Sequence, residues 1–283
     1  MSVQFALATS AMKGDIARLW KLCFGDSDGY IQFYLDHGFI PEQVLVGHEE
    51  DELAAMLTMV PVEATTAGRA LSGRYIFAVA THPAYQKRGY STALLDEAHR
   101  RLREDGVDFS VLVPASEDLF RFYEKRGYET TFHLDFVRVD AADIADRSMA
   151  DLRSVKLEDC RDLRDSCFAG SALYCGWRDD MLRLLGADCA FQGGDTLTFY
   201  VDGSDGYVVC YPQGDSLIIK ECVPPWAAQA ILPALHARYG KAHYHLRLQA
   251  GPDKGRPFGM CYWYGRPANL AEGGAPYLSL VLD

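Results

Sequence analysis

No C-x-x-C pair occurs among the eight cysteines of this 283-residue sequence, and their spacings fit no zinc template. Cys23, Cys160, Cys167, Cys175, Cys189, Cys210, Cys222 and Cys261 stand apart from one another, as small apolar residues do in a reducing compartment. No apolar stretch is long enough to cross a bilayer. The opening Met1-Ser2-Val3-Gln4-Phe5-Ala6 lacks the charged start and apolar run of a secretory signal. The expectation is a cytoplasmic protein with free thiols, no metal and no membrane partner. Positive charge is also scarce: 28 Lys and Arg stand against 39 Asp and Glu, a net charge of −11. That argues against nucleic acid as a partner, since sequence-independent binding needs a basic footprint. It favours cationic or amine ligands through long-range attraction. With 49% hydrophobic residues, a chain of this length can bury a sizeable core and form two domains.

A polar stretch, Asp140-Ala141-Ala142-Asp143-Ile144-Ala145-Asp146-Arg147, follows an apparent strand and marks the expected junction. It divides the chain into a first domain, 1–140, and a second, 150–283. No Gly/Ser-rich linker separates them. In the first, hydrophobic periodicity predicts strands over 3–9, 43–47, 52–64, 74–80, 107–113 and 128–139, and helices over 12–24, 29–37, 90–104 and 117–125. This order argues an α/β chain with a mixed sheet and helices on its faces. In the second, strands over 197–201, 207–211 and 216–223, a helix over 226–239 and a strand over 242–248 repeat part of that order. Closing strands are expected over 259–264 and 277–282.

The chemistry concentrates in Ile76-Phe77-Ala78-Val79-Ala80-Thr81-His82-Pro83-Ala84-Tyr85-Gln86-Lys87-Arg88-Gly89-Tyr90-Ser91-Thr92-Ala93-Leu94-Leu95. A strand runs out to a proline, a short loop with a glycine follows, and an amphipathic helix begins. In such a loop several backbone N–H groups can converge ahead of the helix, where the helix dipole also favours an anion. Gly89 lets the backbone approach a phosphate closely. Gln86, Lys87 and Arg88 can add donors or charge. On these grounds alone a plain strand-to-helix connection fits equally well.

This segment resembles motif A of the GNAT superfamily of acyl-CoA-dependent N-acyltransferases, whose loop reads Q/R-x-x-G-x-G/A. Gln86, Arg88 and Gly89 fall on the pattern, and Ser91 replaces its last small residue. Phe120-Arg121-Phe122-Tyr123-Glu124-Lys125-Arg126-Gly127-Tyr128 resembles the family's motif B, F-Y-x-x-x-G-F/Y. Ser116 stands where that motif often has Asn. The resemblance implies a GNAT fold over 1–140 with acetyl-CoA as cosubstrate. Backbone groups of Val79 and Ala80 would meet the pantetheine arm, and the backbone of Gln86, Lys87, Arg88, Gly89, Tyr90 and Ser91 would cradle the pyrophosphate. Tyr123 lies where many members carry the phenol that protonates the leaving thiolate. No carboxylate lies on the strand over 74–80, where several members place a base. Glu63, His82 and Tyr75 are the side-chain candidates, and a chain of waters is the alternative.

A GNAT domain followed by a degenerate GNAT-like domain resembles the enhanced-intracellular-survival (Eis) type of acetyltransferase. There the terminal carboxylate serves as base, which would put Asp283 in that role. The sterol-carrier-like domain of that group has no room in 283 residues. The second domain lacks a motif A loop, since Glu221-Cys222-Val223-Pro224-Pro225-Trp226-Ala227 passes from strand to helix without a glycine. Its expected part is to shape the pocket for the acceptor. The reading is an N-acetyltransferase acting on an amine of a small molecule or peptide. The alternative is an inactive acyl-CoA sensor. Asp26, Asp28, Asp36 and Glu63 would suit a cationic acceptor. Oligomeric state stays open.

Overall fold

The computed structural model describes residues 3–50, 52–145, 150–265 and 267–282. The chain falls into two compact units. One comprises Met1–Val62, Leu71–Leu112 and Tyr262–Arg266, and the other Glu63–Ala70, Val113–Cys261 and Pro267–Asp283.

The first unit contains β1 (Gln4–Leu7), α1 (Lys13–Phe24), α2 (Asp28–His37), β2 (Val44–Glu49), most of β3 (Glu52–Thr66) and β4 (Arg69–Thr81), then α3 (Tyr90–Glu104) and β5 (Phe109–Leu112). The strands lie in the order β1-β2-β3-β4-β5. β1 with β2 and β2 with β3 are antiparallel, while β4 and β5 run parallel. Helix α1 stops at Gly25, whose φ of 75° lets its N–H turn back to the Lys21 carbonyl. Helix α2 starts at Ser27, whose side chain accepts from the Tyr30 N–H at 3.1 Å. Helix α3 buries Leu94, Leu95, Ala98 and Leu102 along one stripe. Its outer face carries Glu97 between Arg100 and Arg101. Arg100 foremost holds the Glu97 carboxyl down at about 2.

The parallel pairing of β4 with β5 is short. Gly73, Arg74 and Tyr75 lie opposite Phe109, Ser110 and Val111. A Cβ on Gly73 would stand 2.5 Å from the Phe109 ring and 2.7 Å from Val62, so only glycine lets the two strands close here. Beyond Tyr75, β4 continues to Thr81 while β5 ends at Leu112, and the described residues show no further pairing between them. The end of β4 therefore extends beyond its pairing with β5. Within this stretch Ala78 has φ 51°, a left-handed conformation costing a non-glycine residue about 1–2 kcal/mol. Buried neighbours on the same strand, Ile76, Phe77 and Ala80, hold it there, and such strain gathers at functional positions.

The second unit contains α4 (Glu117–Glu124), β6 (Glu129–Asp140), β7 (Arg153–Ser154), α5 (Arg161–Phe168), β8 (Tyr174–Gly176), α6 (Asp179–Phe191), β9 (Asp195–Val201), β10 (Ser204–Gln213), β11 (Ser216–Val223), α7 (Leu232–Tyr239), β12 (His243–Ala250) and most of β13 (Arg256–Trp263). Its strands lie in the order β13-β6-β12-β11-β10-β9-β7; β11 and β12 are parallel, and the other described neighbours in this order are antiparallel. The run β9-β10-β11-α7-β12 repeats β2-β3-β4-α3-β5: three meandering strands, a helix and a parallel return. Leu197, Val208, Leu217, Ile219, Ile231, Leu235, Tyr244 and Leu246 fill its core. The mixed α/β fold expected from the sequence is the one observed.

The expected strand over 277–282 is not formed. Tyr277 makes one isolated bridge to Tyr174, and the residues after it are buried without a ladder. Leu278, Ser279, Leu280 and Val281 are each at most 1% exposed. The segment is held instead by a buried charge pair. Arg164 donates through Nε to the Glu221 carboxylate at 3.2 Å, to the Tyr174 hydroxyl at 2.7 Å and to the Ser279 carbonyl at 3.5 Å. The Trp177 indole donates to that carbonyl at 3.0 Å, and Tyr277 donates to Glu221 at 2.8 Å. Arg164 is 1% and Glu221 0% exposed, so removing one charge strands the other in apolar surroundings. Arg164→Met is expected to lower unfolding stability by about 3–5 kcal/mol, measured by urea denaturation. The paired Arg164→Met/Glu221→Met variant should lose less than the single one.

Candidate functional site

The β4-to-α3 connection is built by a sequence of local constraints. Pro83 opens a short helical turn over Pro83–Tyr85, and the His82 Nδ1 accepts from the Ala84 N–H at 3.2 Å. His82 thus serves as a local cap for the turn. Lys87 then takes φ 62° and Gly89 φ 84°, so the chain twice enters the left-handed region within three residues. Such alternation turns successive N–H groups toward one side. Among the described residues, no backbone carbonyl accepts the N–H of Lys87, Arg88, Gly89, Tyr90 or Ser91.

The helix that follows leaves its positive end uncompensated. Helix α3 has no side-chain cap and no acidic residue in its first turn. Helix α4 shows the opposite design: the Ser116 hydroxyl accepts from the Leu119 N–H at 3.4 Å, and Glu117 and Asp118 occupy its first turn. An uncapped, acid-free N-terminus preceded by N–H groups without a backbone acceptor has the features that favour an anion. Space is available for the anion, because a Cβ built on Gly89 would meet no atom within 4 Å.

The side chains around the loop divide the work. Gln86 donates to the Thr81 carbonyl at 3.4 Å. Lys87 is exposed, and its ammonium makes no ion pair among the described residues. Arg88 pairs with Glu49 at 3.2 Å and lies over the Tyr85 ring at 5.2 Å. Glu49 foremost also raises the pKa of the neighbouring Tyr90 phenol. The one uncommitted positive charge at the cradle is therefore Lys87. Lys87→Ala should raise the dissociation constant for an acyl-CoA by about three- to tenfold, and calorimetry in rising salt should show a flatter dependence than the native protein.

The other expected residues are found in different circumstances. Val79 is partly buried and Ala80 buried, on the part of β4 that extends beyond its pairing with β5. Ser116 spends its hydroxyl on the α4 cap. Tyr123 is 6% exposed, with its ring edge-on to Phe122 at 5.1 Å and to Tyr128 at 5.5 Å. Burial pushes its phenol up to about 12, with the Arg126 charge pulling the other way. Glu63 is bound to Arg161 at 2.9 Å, and Tyr75 is buried. Asp283 lies outside the described residues. Glu49 and the left-handed Ala78 have no counterpart in the sequence reading. Glu49 sits in the acidic run Glu49-Glu50-Asp51-Glu52, which reads as a solvated turn, yet its own side chain is 10% exposed.

In the second unit the corresponding link is closed. Ala227 donates to Pro224, Ile231 to Ala227 and Leu232 to Gln229, and Pro233 has no N–H to give. Among the described residues, no group of three or more His, Cys, Asp or Glu could hold a metal ion. No described helix is long and apolar enough to cross a membrane.

Comparison with known proteins agrees with this geometry. Residues 5–131 match the family model described as an acetyltransferase (GNAT) domain. No curated protein matches the chain in sequence. Among solved structures, a GCN5-related N-acetyltransferase from Anabaena variabilis is similar, with a TM-score of 0.75 and 17% identity over 92% of this chain and 72% of its own. One from Kribbella flavida has a TM-score of 0.69 and 17% identity over 92% of this chain and 70% of its own. Eis1 from Mycobacterium abscessus has a TM-score of 0.66 and 13% identity over 93% of this chain and 74% of its own. At these identities the likeness is one of fold. Residues 5–131 are thus similar to a GNAT acetyltransferase domain, and the chain shares its fold with solved GCN5-related N-acetyltransferases.

Proposed function

We propose that the protein is an acetyl-CoA-dependent N-acetyltransferase that acylates a primary amine by direct attack. The observation that carries this reading is the row of N–H groups from Lys87 to Ser91 without backbone acceptors, which includes two left-handed residues and leads into an acid-free helix terminus. A diphosphate fits such a cradle, with Lys87 as its nearest free charge and Gln86, Arg88 and Tyr90 shaping the loop. The thioester arm runs along the part of β4 beyond Tyr75, against the backbone of Val79 and Ala80. Residues 1–140 act as the acyl-CoA-binding catalytic region, with Ser116 holding its place in motif B through the α4 cap. Residues 150–283 select the acceptor.

Acetyl-CoA supplies the acyl group already activated as a thioester. The acceptor nitrogen, neutral when it attacks, bonds to the carbonyl carbon as the carbon–sulfur bond breaks. Tyr123 gives its phenolic proton to the departing sulfur, and the proton lost by nitrogen passes to water. Tyr123 is suited to donate because burial keeps it protonated. With a net charge of −11, the protein attracts cationic acceptors at long range.

The test is thiol release from acetyl-CoA over a panel of polyamines, aminoglycosides and peptides, with mass analysis of the acceptor. An acetylated amine formed with equimolar thiol supports the reading. Acetyl-CoA binding without turnover on any amine would instead favour a sensor.

A further inference from the structure

We infer that Glu49 is a positioning residue for the acyl-CoA cradle: its carboxylate ties down Arg88, the residue before Gly89, and so holds the loop's N–H groups outward. This rests on the proposed use of the loop for acyl-CoA.

Glu49 is the last residue of β2 and is only 8% exposed. The pairing of β2 with β3 shifts register between Gly47 and His48, so a bulge precedes it. Bulges re-aim the side chains beside them. The carboxylate accepts from Arg88 Nη1 at 3.2 Å, and its nearby charge helps raise the Tyr90 phenol. Arg88 and Tyr90 flank Gly89 in sequence. Their rings and planes also stack: Arg88 over Tyr85 at 5.2 Å, and Tyr85 on Tyr90 at 5.9 Å. One buried acid therefore holds Arg88 directly, and Arg88 in turn packs on the Tyr85 ring that stacks with Tyr90.

The restraint has a purpose that packing alone does not supply. Gly89 lacks contacts of its own, since a Cβ there would meet nothing within 4 Å. Glycine also has the widest choice of backbone conformations. A loop pivoting on such a residue loses its arrangement unless its flanks are fixed. Fixing them before the ligand arrives removes an ordering cost from binding. A carboxylate near an anion site opposes the anion by charge. Here that opposition is offset because Glu49 spends its charge on Arg88. Glu49 thus also sets the charge of the cradle, keeping Arg88 occupied and leaving Lys87 to the phosphates.

The test is calorimetric binding of acetyl-CoA to Glu49→Gln, Tyr90→Phe, Arg88→Met and the three combined, with thermal unfolding as the folding control. Glu49→Gln should raise the dissociation constant about five- to tenfold, the size expected for a partly exposed charge-assisted contact. It should also steepen the salt dependence, because Arg88 is released toward the anion. A role confined to holding the fold together would leave the salt dependence alone. Adding Glu49→Gln to the Tyr90→Phe/Arg88→Met background should change little, since its partner Arg88 is gone. The surface variants Tyr90→Phe and Arg88→Met keep the question answerable should Glu49→Gln fail to fold. An unchanged or tighter dissociation constant for Glu49→Gln, with native binding intact, overturns the inference and leaves the cradle standing. Failure of the native protein to bind acetyl-CoA overturns both.

Discussion

Gly89→Val is expected to weaken acetyl-CoA binding at least about a hundredfold while leaving the protein folded. Two physical effects add. At φ 84° a β-branched side chain pays backbone strain of about 1–2 kcal/mol to keep the native loop. Its methyl groups would also project into the open space ahead of α3, where the cradle receives its anion. A hundredfold loss corresponds to about 2.7 kcal/mol, within reach of strain and exclusion together. Packing cannot be the cause, because a Cβ at this position meets no protein atom within 4 Å. Gly106 supplies the control. It follows α3, has φ 69° and is equally open. Gly106→Val should carry a similar stability cost and bind acetyl-CoA as the native protein does. Equal binding losses in the two variants would mean that general loosening, not the cradle, is responsible.

Tyr123→Phe should lower kcat by about a hundred- to thousandfold, the usual weight of one general acid, while the acetyl-CoA dissociation constant stays within about twofold. The split follows from when the group acts: a proton donor to the leaving sulfur contributes in the transition state and little before it. The substitution suits the question because the Tyr123 hydroxyl has no hydrogen bond among the described residues, and its edge contacts with Phe122 and Tyr128 involve the ring alone. Phenylalanine keeps those contacts. The pH profile gives a second readout. A phenol raised to about 12 remains protonated, and so loaded, at every pH below that value. The native rate should therefore rise as the acceptor amine loses its proton and show no falling limb up to pH about 10. A falling limb between pH 8 and 10, absent in Tyr123→Phe, would show that the phenol titrates lower than its burial implies.

Much of the first unit was legible because its helices and strands have clean periods. Helix α3 shows Leu94, Leu95, Ala98 and Leu102 on one stripe, and the glycine before it marks the turn. The second unit was read less completely, and the misses have causes. Helix α6 (Asp179–Phe191) buries Met181, Leu182, Leu184, Leu185, Asp188 and Cys189, which covers too much of its circumference to give a sharp period, and Gly186 interrupts it. Helix α5 (Arg161–Phe168) buries Arg164, a residue that reads as solvent-facing until its partner Glu221 is known. That partner is distant in the chain, so no local pattern announces it. The apolar run Tyr277-Leu278-Ser279-Leu280-Val281-Leu282 suggested a strand, but Leu280 has φ 51° and Leu278, Ser279, Leu280 and Val281 are all buried. An apolar run reports burial and cannot distinguish a buried strand from an enclosed strap. At the site itself, Gly89 and its loop were visible as a motif. Glu49 was hidden for the same reason as Glu221, since its role depends on residues far along the chain.

The central claim is that the loop from Lys87 to Ser91 receives the diphosphate of acyl-CoA. Equilibrium titration of the native protein with acetyl-CoA, followed by competition with pyrophosphate alone, tests it most directly. The account predicts micromolar acetyl-CoA binding that weakens as salt rises and that pyrophosphate displaces at higher concentration. Acetyl-CoA binding that pyrophosphate and salt leave untouched would place the cofactor somewhere other than this cradle, and no binding at all would contradict the account outright.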